Sequence, residues 1–380
     1  MYSLPDFGAM ISDSARFKAY TEAISRCVRP GDVVLEIGCG PAVFSLLACR
    51  AGAKRVYAIE TEDIIDVARQ IAFANEFADR IRFFQSDSRK TELPERVDVI
   101  VSDIRGTLPL FEGAVASLRD ARQRLLSADG VMIPRREVLR AAIIEAGKVY
   151  SSLTSPWKTC VTEVELSIPL QLVLNTGHGI TAKLEQLMSE PEELCTLDYK
   201  GNSGPDVSGK LAFRTSRRGT AHGICVWFDT ELYEDIGFSS GPESPATVYG
   251  QLFLPWLEPV EIEEDEEILV TLQANLLGRD YLWRWETEIA GTDGVVKPHF
   301  RQSSFEGAYV SSHALRRHAS GHIPVLTAEG EAERFLLGAM DGCASLEEIA
   351  KRAAERFPKV YSSHEEAFQR ATELAQKFSR

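Results

Sequence analysis

The stretch at residues 33–49, VVLEIGCGPAVFSLLAC, constrains this chain most. Residues 33–36 read as a short buried strand. Gly38 and Gly40 follow, and Val43, Phe44, Leu46 and Leu47 then recur at helical spacing. Strand, glycine turn and helix start is how a doubly wound α/β sheet opens a ligand crevice at the carboxyl end of its first strand. Glycines there let backbone N–H groups approach a ligand closely. The next strand, 55–59, runs into Glu60. An acid about 20 positions after the first glycine is placed to hold a ribose diol.

Three readings of this turn stay open: a dinucleotide site, a bare structural turn, and a site for a cofactor without phosphate. The third glycine position of the dinucleotide fingerprint is Val43 here, where a branched side chain meets the helix–strand contact. S-adenosylmethionine suits the E-x-G-x-G form of Glu36, Gly38 and Gly40 better, and that reading is preferred.

Around this stretch the chain alternates strand and helix up to residue 145. Strands are expected at 33–37, 55–59, 81–85, 97–102, 130–133 and 138–145, and helices at 42–51, 62–77 and 111–126. This βαβ series predicts a mostly parallel sheet. Residues 6–28 read as one helix, and its Arg16 is either solvated or turned toward a ligand carboxylate. Asp87 and Ser88 follow the third strand, as adenine contacts or as a turn cap. The fourth strand ends in Asp103, and Glu112 sits near the start of the next helix. Two carboxylates bracketing a loop suit the fork of donors on a guanidinium. Glu112 also reads as a first-turn helix acid.

After Pro134 short alternating segments at 160–173, 209–215, 222–229, 246–254, 267–275 and 281–289 predict an antiparallel barrel or sandwich. The acidic run between residues 258 and 267 reads as a solvated turn or, less often, a docking patch for a basic peptide. Near His318 the texture changes again. A strand or hairpin is expected at 319–327, then helices at 331–337, 345–356 and 364–378, a small helical or winged-helix module. The expected division is 1–134, a Rossmann-like cofactor domain; 135–318, a β-barrel substrate domain; and 319–380, the helical module.

A net charge of −14 disfavours general binding to nucleic acid or an anionic membrane and suits a cationic substrate. Seven scattered cysteines with no C-x-x-C pair point to a reducing compartment and against structural zinc. The first residues form no signal peptide, and no run reaches membrane length, so a cytoplasmic protein is expected. The seven histidines show no ligand spacing and read as surface or turn residues; no metal site is expected.

Four motifs in order carry a resemblance. They are Met10-x-x-Asp13-x-x-Arg16-x-x-x-Tyr20; Leu35 to Gly40 with Glu60; Glu92-Leu93-Pro94 followed by residues 97–102 and the two-acid loop; and residues 237–245, GFSSGPESP. Over about residues 6–290 the chain resembles the protein arginine methyltransferases, as a divergent, bacterial-type member. The resemblance implies S-adenosylmethionine as cofactor and the arginine of a protein or peptide as acceptor. Arg16 would bind the cofactor's carboxylate, Glu60 its ribose, Gly38 and Gly40 the methionine part, and Asp87 and Ser88 the adenine. Asp103 and Glu112 would hold the guanidinium, and Met10 would line the space around the methyl. It also places a dimerisation arm at 150–178, so a homodimer is expected. The tail faintly resembles winged-helix peptide-binding modules of peptide-natural-product pathways.

The chain departs from this family on the acceptor side. Asp103 stands where the family has Glu. Ile104-Arg105 replaces Trp-Met, and Thr247-Val248-Tyr249 replaces Thr-His-Trp. Arg105 would repel a substrate arginine, or pair with Glu112 and take the guanidinium's place. The alternatives are transfer to a small amine or hydroxyl, with Arg105 binding an acidic acceptor, and a non-catalytic cofactor binder.

Overall fold

A computed structural model of the chain describes residues 2–158, 164–201, 204–290, 297–308 and 311–379. Two compact units result, Met1–Ala308 and Tyr309–Arg380.

The first unit begins with two helices, α1 (Leu4–Ser12) and α2 (Ser14–Cys27), where one was expected. The break is at Asp13. Its backbone is extended, and its side chain caps α2 by accepting from the Arg16 N–H at 3.2 Å. The Rossmann-like series then follows: β1 (Val33–Ile37), α3 (Val43–Ala51), β2 (Arg55–Glu60), α4 (Ile64–Ala74), β3 (Ile81–Gln85), β4 (Val97–Ser102), α5 (Ala114–Arg124) and β5 (Leu126–Ile133). The five strands form a parallel sheet in the order β3-β2-β1-β4-β5. The order reverses between β1 and β4, which opens a crevice beyond their carboxyl ends. Every residue of β1 is buried, as a central parallel strand covered on both faces requires.

Next come β6 (Arg136–Ile144), α6 (Gly147–Lys158), α7 (Ser167–Leu174), β7 (His178–Ile180), β8 (Glu192–Asp198), β9 (Val207–Arg214), β10 (Gly219–Tyr233), β11 (Ile236–Ser239), β12 (Gln251–Ile262), β13 (Glu267–Leu277), β14 (Asp280–Ile289) and β15 (His299–Ser303). They build two antiparallel sheets, β7-β12-β10-β6-β8 with β11 on β10, and β15-β14-β13-β9. One apolar core runs from the parallel sheet into both, from Leu35 and Ile100 through Leu139 and Phe228 to Trp256 and Trp285. The strand expected at 160–173 is corrected. Residues 159–163 lie outside the described residues, 164–166 are irregular, and 167–173 fall in α7, where Leu170 and Leu174 pack at helical rather than alternating spacing. In the acidic run, residues 263–265 make the β12–β13 turn. Glu266, however, is buried and paired with Lys297 Nζ at 2.5 Å.

The second unit holds α8 (Ser312–His318), α9 (Ala328–Ala339), α10 (Leu346–Arg356) and α11 (His364–Phe378). A capping box between Ser345 and Glu348 starts α10. Leu336, Ile349, Ala353, Ala371 and Leu374 form its core. The hairpin expected at 319–327 is not there. That segment is irregular and exposed, because Ile323 and Val325 meet no pairing strand, and the described residues of this unit contain no β-strand. Among the described residues no helix is long and apolar enough to cross a membrane.

Candidate active site

A cavity of about 690 Å³ lies at the carboxyl ends of β1 to β4. Its walls contain every residue singled out from the sequence: Met10, Arg16, Glu36, Gly38, Gly40, Glu60, Asp87, Ser88, Asp103 and Glu112. Helix α1 forms one side. It contributes no fully buried residue, yet Phe7, Met10 and Ile11 face the cavity.

The two glycines are required by geometry. Gly38 has φ +70° and Gly40 φ +48°, in the left-handed region that side chains disfavour. A Cβ on Gly38 would lie 2.2 Å from Ile104 Cγ2, and one on Gly40 would lie 2.7 Å from the Phe7 ring. Glu60 holds the turn: its Oε2 accepts from the Gly40 N–H at 2.9 Å and its Oε1 from the Thr61 N–H at 2.7 Å. Glu36 is buried and accepts from the Ser45 N–H at 2.7 Å and from the Ser45 hydroxyl. Burial pushes its carboxyl up to about 8, with the Ser45 hydrogen bonds opposing. Asp87 accepts from the Arg89 N–H at 2.9 Å and pairs with its guanidinium, and these hydrogen bonds hold its carboxyl below the ordinary range. Ser88 is buried beside it.

Beyond β4 the loop to α5 carries Asp103, Arg105 and Glu112. Asp103 is encircled by donors. Oδ1 takes the Tyr249 hydroxyl at 2.7 Å and Arg105 Nε at 3.1 Å; Oδ2 takes Arg16 Nε at 2.5 Å and Arg16 Nη2. Arg16 is buried, not solvated, and its Nη1 also donates to the Met10 carbonyl at 2.8 Å. Burial works against its charge, but Asp103, Tyr249 and Tyr20 together outweigh burial and raise its affinity for the proton.

Arg105 does not pair with Glu112, which corrects one expectation. Its side chain is 3% exposed. Nη1 lies 2.9 Å from Glu137 Oε1, and Nη2 donates to the Tyr20 hydroxyl at 2.8 Å. The guanidinium carbon sits 5.1 Å from the Phe228 ring centroid and 5.7 Å from that of Tyr249. Burial disfavours its charge, yet Glu137, Tyr20 and Asp103 together hold the guanidinium protonated. Held this way, it is not open to an acidic acceptor. Glu112 is the opposite case: exposed, at φ +40°, and ahead of Gly113, the N-cap of α5, so it is not a first-turn helix acid. It has neither a hydrogen bond nor an ion pair with the described residues. Non-glycine residues held at positive φ are strained, and such strain clusters at functional sites.

Three site residues escaped the sequence reading. Glu137 is the lone acid on the buried face it shares with Leu139 and Ala141 in β6, an alternation that would have flagged it. Tyr20 was visible only as the end of the Met10 motif. Tyr249 was noted as a departure and not as a ligand of Asp103. In the same loop the Val248 N–H donates to the second oxygen of Asp13 at 2.9 Å, which ties it to the α1–α2 break. One histidine reading changes, and another gains neighbours. His222 is buried against Tyr150 and accepts from the Ala146 N–H at 3.3 Å; burial lowers its affinity for the proton. His299 on β15 stands beside Glu286 and Glu288 on β14, with ligand atoms within 4.8 Å of one another, an exposed grouping that sequence spacing cannot show.

A parallel sheet in the order 3-2-1-4-5, a glycine turn after its central strand and an acid after the next define a nucleoside-cofactor fold joined to an antiparallel β region. Residues 18–134 match the family model described as ribosomal protein L11 methyltransferase (PrmA), and residues 137–285 the arginine methyltransferase oligomerization subdomain. The chain is 30% identical to protein arginine N-methyltransferase 1.1 of Arabidopsis thaliana over 274 residues, 70% of each chain. It is 31% identical to protein arginine N-methyltransferase 2 of Mus musculus over 278 residues, 68% of this chain and 61% of that one. Among solved structures, the Trypanosoma brucei PRMT1 enzyme-prozyme heterotetrameric complex with AdoHcy superposes with TM-score 0.73 at 23% identity, covering 78% of this chain and 96% of that one. The chain belongs to the protein arginine methyltransferase family.

Proposed function

We propose that this chain transfers the methyl group of S-adenosylmethionine to the guanidinium of an arginine in a protein or peptide. The observation that carries this reading is the cavity. Glycines at its base carry no Cβ, Glu60 ends β2, and two carboxylates, Asp103 and Glu112, line the same cavity. These residues fit a nucleoside cofactor. Glu60 would accept from the ribose hydroxyls, the backbone at Gly38 and Gly40 would lie along the methionine part, and Asp87 and Ser88 would meet the adenine. Arg16 would offer the N–H groups that Asp103, Tyr249 and Met10 leave over to the carboxylate. The cofactor supplies an electrophilic methyl on a sulfonium.

The rest is done by the protein. A guanidinium stays charged, with a pKa above about 12, so its lone pairs are delocalised. A carboxylate on the far nitrogens draws positive charge away from the one attacked. Glu112, exposed on the cavity wall, is the carboxylate free to hold those far nitrogens, and the proton released from the attacked nitrogen passes to solvent. Fixing nitrogen and methyl in line supplies about 7–11 kcal/mol of the barrier.

We further propose that the chain works as three parts, the cofactor domain 1–134, a β-barrel substrate domain 135–308 and the helical module 309–380, the last boundary lying ahead of the expected 318 because α8 falls in the second unit. In this reading α6 and α7 form a homodimer arm. The exposed Ile168 and Val164 support it, as does the match to an oligomerization subdomain. The free cysteines, among them Cys39 and Cys225, suit a cytoplasmic location. The test of the activity is radiolabelled S-adenosylmethionine with an arginine-containing peptide. Base-stable label that hydrolyses to methylarginine supports it; label confined to small molecules overturns the choice of acceptor.

A further inference from the structure

We propose that Arg105 is a built-in occupant of the place beside Asp103 and sets acceptor specificity, so that an incoming arginine is held by Glu112 alone. The inference rests on the arginine reading above and deepens it. Arg105 already has what a bound arginine requires: carboxylates at 3.1 Å (Asp103) and 2.9 Å (Glu137), a hydroxyl at 2.8 Å (Tyr20), and aromatic faces at 5.1–6.0 Å from Phe228, Tyr249, Phe238 and Tyr20. Asp103 has no oxygen left for a second fork of donors, since Tyr249, Arg16 and Arg105 take both. The buried group of Arg16, Arg105, Asp103 and Glu137 sums to zero charge, so this end of the cavity exerts little pull on a cation. Glu112 lines the same cavity, exposed and without a partner among the described residues. Acceptor binding by one carboxylate is weaker and less directional than by two.

The test uses the full-length protein and an arginine-containing peptide, with the peptide's Kd measured by calorimetry in the presence of S-adenosylhomocysteine and its KM and kcat with S-adenosylmethionine. Arg105→Met removes the occupant, and Arg105→Met with Glu137→Gln does so without stranding a buried carboxylate. In the paired variant the peptide Kd and KM are expected to fall at least tenfold, with S-adenosylhomocysteine affinity within twofold of wild type. Arg105→Lys, which keeps the charge, is expected to leave the Kd near wild type. An unchanged or weaker peptide Kd in a folded paired variant that still binds S-adenosylhomocysteine overturns the inference, whatever the turnover. Tighter peptide binding with no methylarginine from either protein upholds the occupant and overturns the arginine reading instead.

Discussion

The two sides of the cavity are built on different principles. The side proposed for the cofactor is shaped by backbone geometry: Gly38 and Gly40 at positive φ, Glu60 fastened to the Gly40 N–H, and Glu36 fastened to the Ser45 N–H. The side proposed for the acceptor is shaped by side chains, Asp103 held among Arg16, Arg105 and Tyr249, with Arg105 paired to Glu137. A backbone cradle tolerates little change because a Cβ at Gly38 collides with Ile104. A side-chain cluster can be rewired, provided the buried charges still balance. The comparison predicts that cofactor use and acceptor choice are separable in this fold.

That separation can be broken at several points. The largest effect is expected at the acceptor side's own foundation. Arg105→Met leaves Glu137 buried without its cation, with the Tyr199 hydroxyl still donating to it, which costs about 3–5 kcal/mol. Denaturant melts should show most of it restored by adding Glu137→Gln. Next is Glu112→Gln, expected to lower kcat on an arginine peptide by about 10²–10³ while calorimetric cofactor affinity holds. A matching loss of cofactor binding would show that the two sides are not separable. Arg16→Ala comes third. It is expected to weaken S-adenosylmethionine by about 1.5–3 kcal/mol, the value of a charge-assisted hydrogen bond, and unchanged calorimetric affinity would confine Arg16 to the acceptor side.

The last effect is read as a slope with pH. The folded state holds a proton on Glu36 up to about pH 8, whereas an unfolded carboxyl loses it near the ordinary value of 4.5. Stability from this group is therefore complete below about pH 4.5 and is lost as pH rises toward 8. Thermal midpoints of wild type and Glu36→Gln should draw together or cross across that window. Parallel curves would mean that Glu36 is not titrating there.

The cofactor side was largely legible in the sequence because its signals are local. Strand, glycines and Glu60 lie within 33–60, and the strands at 33–37, 81–85 and 97–102 form as expected. The acceptor side was legible only in part, because its partners are distant in sequence. Nothing in the run from Asp103 to Glu112 shows that Arg105 will meet Glu137 across the start of β6, or that Tyr249 will reach Asp103. The helix expected at 6–28 missed its break because Asp13 caps α2 in a way that pays no regard to apolar spacing. The strand expected at 160–173 failed for a related reason: a short apolar run does not distinguish strand from helix.

The pairing of Arg105 with Glu137 also bears on how such a chain diverges. Among the described residues Glu137 has no cation beside it but Arg105, whereas Arg105 also keeps Asp103, so losing Arg105 alone passes through an unstable intermediate. The two positions are epistatic. Descendants of this chain are expected to keep both residues or to exchange both for neutral ones, and acceptor preference would then shift in a single coupled step rather than drift.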